Sequence, residues 1–126
     1  MSELASLEVA VLLWLVHLFW QAGSANHAYP LAYLISSRDE FAEPKGLTAG
    51  RAKRALANYL ESFPVFAALV LAFIATRHPA GIWPAVWVLA RIAYLPLYLF
   101  NGVYFRTIAW AVSLLALVAM LIRLAL

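Results

Sequence analysis

The chain has no cysteine among its 126 residues. A disulfide framework, a thiolate metal site and a cysteine nucleophile are therefore excluded at once. Charge is also scarce. Asp, Glu, Lys and Arg make up 12% of the residues, where an ordinary soluble domain carries about 25%. The formal net charge is only +3, and no basic run suits nucleic acid. No glycine-rich phosphate loop is present, and no Ser-His-Asp arrangement can be inferred. The three histidines (His17, His27 and His78) stand apart, without metal-ligand spacing, so no metal is expected. His17 alone leaves a haem axial ligand as a minor alternative. Met1–Glu8 carries Glu3 and Glu8 but no Lys or Arg. The first hydrophobic segment thus lacks the positive start of a signal peptide and is expected to be a permanent span.

What the chain has in abundance is apolar surface. It is 66% hydrophobic, with a mean hydropathy of +0.85. A soluble domain this small could not hide so much, so lipid is the expected solvent. The hydrophobic pattern predicts one all-α integral membrane domain, a bundle of four transmembrane helices at about residues 4–22, 55–76, 82–102 and 107–126. Residues 23–47 form a long connection in which Ala32–Ser36 adds a helical turn. Thr48 is the expected N-cap of the second helix. Its uncharged run, Ser62–Thr76, is too short to cross a bilayer alone. The preceding turns must reach the membrane, which draws Arg54, Asn58 and Glu61 to its boundary. Pro64 and Pro96 are expected to bend their helices. Trp83 and Trp87 suit an interfacial belt, and Val103–Arg106 a tight turn. Four spans put Arg38, Lys45, Arg51, Lys53, Arg54 and Arg106 on one side. The positive-inside bias makes that side cytoplasmic.

Two helices carry polar stripes. Arg51, Arg54, Asn58 and Glu61 fall at i, i+3, i+7 and i+10, and so do Arg91, Tyr94, Tyr98 and Asn101. Polar side chains at membrane depth turn to the bundle interior, because facing lipid costs several kcal/mol each. His17, Gln21 and Ser24 make a shorter stripe on the first helix, read as packing. The stripes could simply hydrogen-bond to one another and hold the bundle together. Glu61, however, can neutralise only one of Arg54, Arg91 and Arg106. The surplus of guanidinium points to an anion supplied from outside. Tyr94 and Tyr98 add hydroxyl donors and aromatic walls.

The run Arg54-Ala55-x-x-Asn58-x-x-Glu61-x-Phe63-Pro64 resembles the signature of the MAPEG superfamily, the membrane-associated proteins in eicosanoid and glutathione metabolism. Ala90-Arg91-x-x-Tyr94-x-x-x-Tyr98, followed by Arg106-Thr107, resembles that family's second conserved region. The resemblance spans nearly the whole chain. It implies a homotrimer of four-helix protomers that binds glutathione between protomers, near the cytoplasmic side. Arg54, Asn58 and Glu61 would hold the tripeptide, Glu61 at its amino group and the arginines at its carboxylates. Arg91, Tyr94 and Tyr98 would complete the pocket. Arg106 matches the arginine that stabilises the thiolate in catalytic members. Arg38 matches a further carboxylate-binding arginine, although its neighbours align poorly. The chain is shorter than the eicosanoid enzymes, and Ser62 stands where one of them has tyrosine. It looks closer to compact bacterial members, in the inner membrane with the polar site facing the cytoplasm. The implied function is a glutathione transferase or peroxidase acting on lipophilic electrophiles that arrive through membrane lipid. A non-catalytic lipid-binding or scaffold member is the alternative, and a small transporter subunit a more distant one.

Overall fold

The computed structural model describes residues 1–126 as five helices. They are α1 (Glu3–Ala28), α2 (Leu31–Leu34), α3 (Thr48–Thr76), α4 (Trp83–Leu99) and α5 (Val103–Ala125). Helices α1, α3 and α5 are long and apolar enough to cross a membrane. Helix α4 is a shorter apolar helix of 17 residues, about 26 Å long at ~1.5 Å per residue. That falls a little under a hydrocarbon layer of about 30 Å.

Several boundaries differ from those the sequence predicts. Helix α1 does not stop at Ala22 but runs to Ala28. Gln21, Ser24, Asn26 and His27 are tolerated in a helix, and nothing breaks the backbone until Tyr29 turns extended ahead of Pro30. The helical turn in the connection is Leu31–Leu34 rather than Ala32–Ser36. Thr48 is not a cap. It is the first residue of α3, and Leu47 before it already has near-helical angles, with no side-chain cap. Helix α3 continues through Pro64.

The largest correction concerns the turn before α5. Val103–Arg106 is helix, not turn, and the reversal is made by Phe100–Gly102. Asn101 adopts a left-handed conformation (φ 62°), which asparagine tolerates better than most residues. Phe100 N–H then donates to Pro96 O and Gly102 N–H to Leu97 O, at 2.9 and 2.7 Å. Arg106 is thereby carried into the first turn of α5, where its N–H donates to Gly102 O.

Helices α1 and α3 pack together along buried alanines, Ala10 on one and Ala49, Ala52 and Ala55 on the other. Small residues let membrane helices approach closely. Tyr59 fills the next layer. Its hydroxyl donates to Ala10 O, and its ring lies between His17 at 4.6 Å and Phe63 at 5.3 Å. Trp87 does not sit in an interfacial belt. It is fully buried and stacks on Phe66 with centroids 4.0 Å apart, because its position on α4 faces α3. Helices α4 and α5 form a close hairpin.

At the end of the bundle that holds the α3–α4 turn, Ala80 N–H donates to Glu3 Oε1 and Arg123 Nε to Pro79 O. The other end is tied by Arg51, whose Nη1 donates to Leu99 O. Much of the helix surface between these ends is apolar. Leu12, Phe19, Leu71, Leu89, Leu115 and Leu121 all stand exposed on helix exteriors, as a lipid-facing surface requires.

Candidate functional site

The polar stripes of α3 and α4 converge at the Arg51 end of the bundle. Arg91 is the most deeply placed of the predicted residues, 1% exposed. Its guanidinium lies 4.4 Å from the Tyr94 ring centroid and 5.4 Å from that of Tyr59. Such cation–π contacts satisfy the face of the guanidinium but not its N–H groups. Arg91 Nε and Nη2 are buried without a hydrogen-bond partner, and so is Asn58 Oδ1. Buried polar groups without partners are uncommon and call for a water, an ion or a ligand.

Tyr98 joins two further arginines. Its hydroxyl accepts from Arg54 Nε at 3.1 Å, and its ring lies under the Arg106 guanidinium at 4.6 Å. Tyr94 and Tyr98 are themselves in contact, with centroids 5.7 Å apart. A row of Arg91, Tyr94, Tyr98 and Arg106 therefore runs from the core of the bundle to its surface, with Arg54 at the outer end. Gly50 leaves room for that outer arginine, since a Cβ there would come within 3.1 Å of Arg54 Nη1.

The row opens on a cavity of about 190 Å³ lined by Asn58, Tyr94, Arg106, Thr107 and Trp110. Trp110 was not expected from the sequence. It reaches the cavity because α5 begins at Val103, which places Arg106 and Trp110 one turn apart on the same face.

Further along the same two helices lies an apolar groove of about 340 Å³, whose walls include Val65 and Leu69 of α3 and Leu114 and Leu117 of α5. Glu61 and Ser62 stand at its polar end. Glu61 is exposed and one turn from Asn58. The furrow between α3 and α5 is thus cationic at the membrane boundary and oily within the bilayer.

Arg38 is not with the others. It lies in the 23–47 connection, where its Nε and Nη2 donate to Leu34 O at 3.1 and 2.8 Å. With Tyr29, Tyr33 and Lys53 it lines a separate cavity of about 160 Å³ between α1 and α3. The structure brings Arg54, Asn58, Arg91, Tyr94, Tyr98 and Arg106 together, sets Glu61 on the adjoining groove, and leaves Arg38 on another face. The polar residues of α1 divide likewise. His17 is core, with Nδ1 donating to Leu13 O at 2.8 Å. Gln21 lines the Arg38 cavity.

The pattern of residues, the helical bundle and this polar row meet in one family comparison. The model of the MAPEG family matches residues 4–126, essentially the whole chain. The chain belongs to the MAPEG family. It is an integral membrane protein of that family. No curated protein matches the chain. No solved structure matches it either.

Proposed function

We propose that this MAPEG protein is a membrane-bound, glutathione-dependent transferase or peroxidase acting on hydrophobic electrophiles. The observation that carries the reading is the α3–α5 furrow, in which the cationic cavity of Asn58, Tyr94 and Arg106 adjoins an apolar groove. A hydrophilic anion has its donors at one end, and a lipid-soluble molecule has its surface at the other.

Arg54, Arg91 and Arg106 supply guanidinium groups for the two carboxylates and the sulfur of glutathione, and Asn58 Oδ1 and the tyrosine hydroxyls complete the hydrogen bonding. Glu61 is the one carboxylate on the furrow, and it suits the tripeptide's amino group. A free thiol has a pKa of about 8.5. A neighbouring cation favours the thiolate, and a guanidinium is a permanent one. Arg106 is assigned that task. The thiolate sulfur attacks the electrophilic carbon of a molecule held in the groove. A C–S bond forms as the leaving group departs with its electron pair. With a hydroperoxide, the sulfur takes the distal oxygen, the alcohol leaves, and a second glutathione closes the disulfide with loss of water. The protein contributes thiol activation and proximity.

Arg38 fits this reading only across a protomer boundary. In a homotrimer, the α1–α3 face bearing Arg38 and Lys53 would meet a neighbour's Arg54–Arg106 row and close the site over the ligand. The side of the bundle bearing six cationic residues then faces the cytoplasm, in a bacterial inner membrane. The test is conjugation of glutathione to a generic lipophilic electrophile by detergent-solubilised protein, together with a thiolate absorbance titration. Turnover and a depressed thiol pKa are expected, both lost in Arg106→Ala while native mass still reports a trimer. Neither signal in the wild-type protein would leave the non-catalytic lipid-binding or scaffold role in its place.

A further inference from the structure

A further cavity lies on the opposite side of the α1–α3 pair from Arg38. It is about 490 Å³ in volume and is lined by Phe19, Trp20, Ser24, His27, Lys45 and Thr48, among others. None of its walls carries a carboxylate. We propose that it is a binding site for one anionic phospholipid, with the phosphate held by Lys45, His27 and Thr48 and the acyl chains lying on Phe19 and Trp20.

The first argument is depth. Helix α1 has 26 residues, about 39 Å at ~1.5 Å per residue, which exceeds the hydrocarbon thickness of about 30 Å. Its last turns must leave the oily layer. The change of chemistry within α1 marks where they do so, since Trp20 is followed by Gln21, Ser24, Asn26 and His27. Tryptophan favours the headgroup boundary. The cavity therefore sits at headgroup level.

The second argument is charge. Lys45 is anchored by its backbone, whose N–H donates to Ala28 O at 3.1 Å. This bond fixes the connection against the end of α1 and leaves the ammonium at the cavity. His27 and Thr48 line the same space. A basic pocket between membrane helices is the arrangement that takes acidic lipid headgroups.

The third argument is continuity. Leu12, Val16, Phe19 and Trp20 are all exposed and follow one another at i, i+4, i+7 and i+8, a single stripe down the outside of α1. The cavity opens onto that stripe, so a lipid with its phosphate at Lys45 has an apolar track for its chains. A free phosphate would use Lys45 and its neighbouring donors and leave the aromatic shelf and the stripe unoccupied. The site shares no lining residue with the Arg106 cavity and does not depend on the proposed reaction.

The experiment is native mass spectrometry of the detergent-solubilised protein in an equimolar mixture of phosphatidylglycerol and phosphatidylcholine. Phosphatidylglycerol is expected to be retained in excess. Lys45→Gln, in an exposed connection where folding is not at stake, should cut that preference about fivefold, corresponding to about 1 kcal/mol per basic residue at the membrane surface. Lys53→Gln, on the same end of the bundle but outside the cavity, should leave it unchanged. Equal retention of the two lipids overturns the site. An equal loss in both variants also overturns it, because diffuse attraction would then suffice. A third arm uses the absence of cysteine. If Ser24→Cys cross-links two copies on mild oxidation, the cavity is a contact between protomers and not a lipid site.

Discussion

The Arg91 guanidinium lies 4.4 Å from the centroid of the Tyr94 ring, and two of its nitrogens have no hydrogen-bond partner although the side chain is sealed from solvent. A charge left in this condition inside a membrane protein is an expense to the fold. It is explained if a ligand anion or bound water completes it.

That relationship separates binding from stability. Arg91→Leu replaces an incompletely paired charge by apolar volume, a change that is often neutral or stabilising. It also removes a charge-assisted hydrogen bond of about 1.5–3 kcal/mol to a bound carboxylate. Titration calorimetry is expected to show glutathione affinity falling at least about tenfold, a change that ~1.4 kcal/mol produces. The midpoint of thermal unfolding in detergent should stay within a few degrees of wild type. A large loss of thermal stability with unchanged affinity would show that Arg91 serves packing alone.

Tyr98 offers a graded test, because its two ends do different things. Its hydroxyl accepts from Arg54 and its ring supports Arg106. Tyr98→Phe keeps the ring, so glutathione affinity should fall by about 0.5–1.5 kcal/mol, the usual net value of one hydrogen bond, with the thiol pKa unchanged. Tyr98→Ala also removes a cation–π contact of about 0.5–1 kcal/mol and frees the Arg106 side chain. The thiolate titration should then move towards the value for glutathione in water. If Phe and Ala behave alike in that titration, the ring does not position Arg106.

Tyr59 serves as the structural counterpart. Its hydroxyl ties α3 to the α1 carbonyl of Ala10 deep in the core, away from the cavity lining. Tyr59→Phe should lower stability by about 0.5–1.5 kcal/mol, read as the midpoint of thermal unfolding in detergent. Glutathione affinity is expected to hold. A selective loss of affinity would mean that the core layer of His17, Tyr59 and Arg91 transmits to the site.

The clustering of the polar residues was legible in the sequence because helical periodicity is a strong signal. Spacing alone groups Arg54 with Asn58, and Arg91 with Tyr94 and Tyr98, and the structure gathers them at one end of the bundle. What escaped depended on backbone details that composition does not encode. Asn101 takes a left-handed turn, so α5 starts at Val103 and Trp110 reaches the cavity. Trp87 has the composition of a belt residue, but its register against Phe66 makes it core. The extension of α1 to Ala28 was hidden by polar residues that interrupt hydropathy without interrupting a helix. Arg51 belonged by spacing to the polar stripe, yet its guanidinium binds the carbonyl at the end of α4. Spacing alone cannot tell a ligand donor from a donor to backbone.

The separation of Arg38 from Arg106 gives a test of the assembly itself. They line different cavities of the chain, so in the proposed trimer a ligand held by both would bridge two protomers. Arg38→Ala and Arg106→Ala homotrimers should each be nearly inactive, the first through weakened glutathione binding and the second through loss of the thiolate. When the two variants are co-expressed in equal amounts, some interfaces pair an intact Arg38 face with an intact Arg106 face. For random assembly in a cyclic trimer, about a quarter of the interfaces do so. Activity should therefore return to about a quarter of wild type in the mixed population, while separately purified variants combined without exchange stay inactive. If both residues acted within one protomer, every subunit in the mixture would lack one of them and no activity would return.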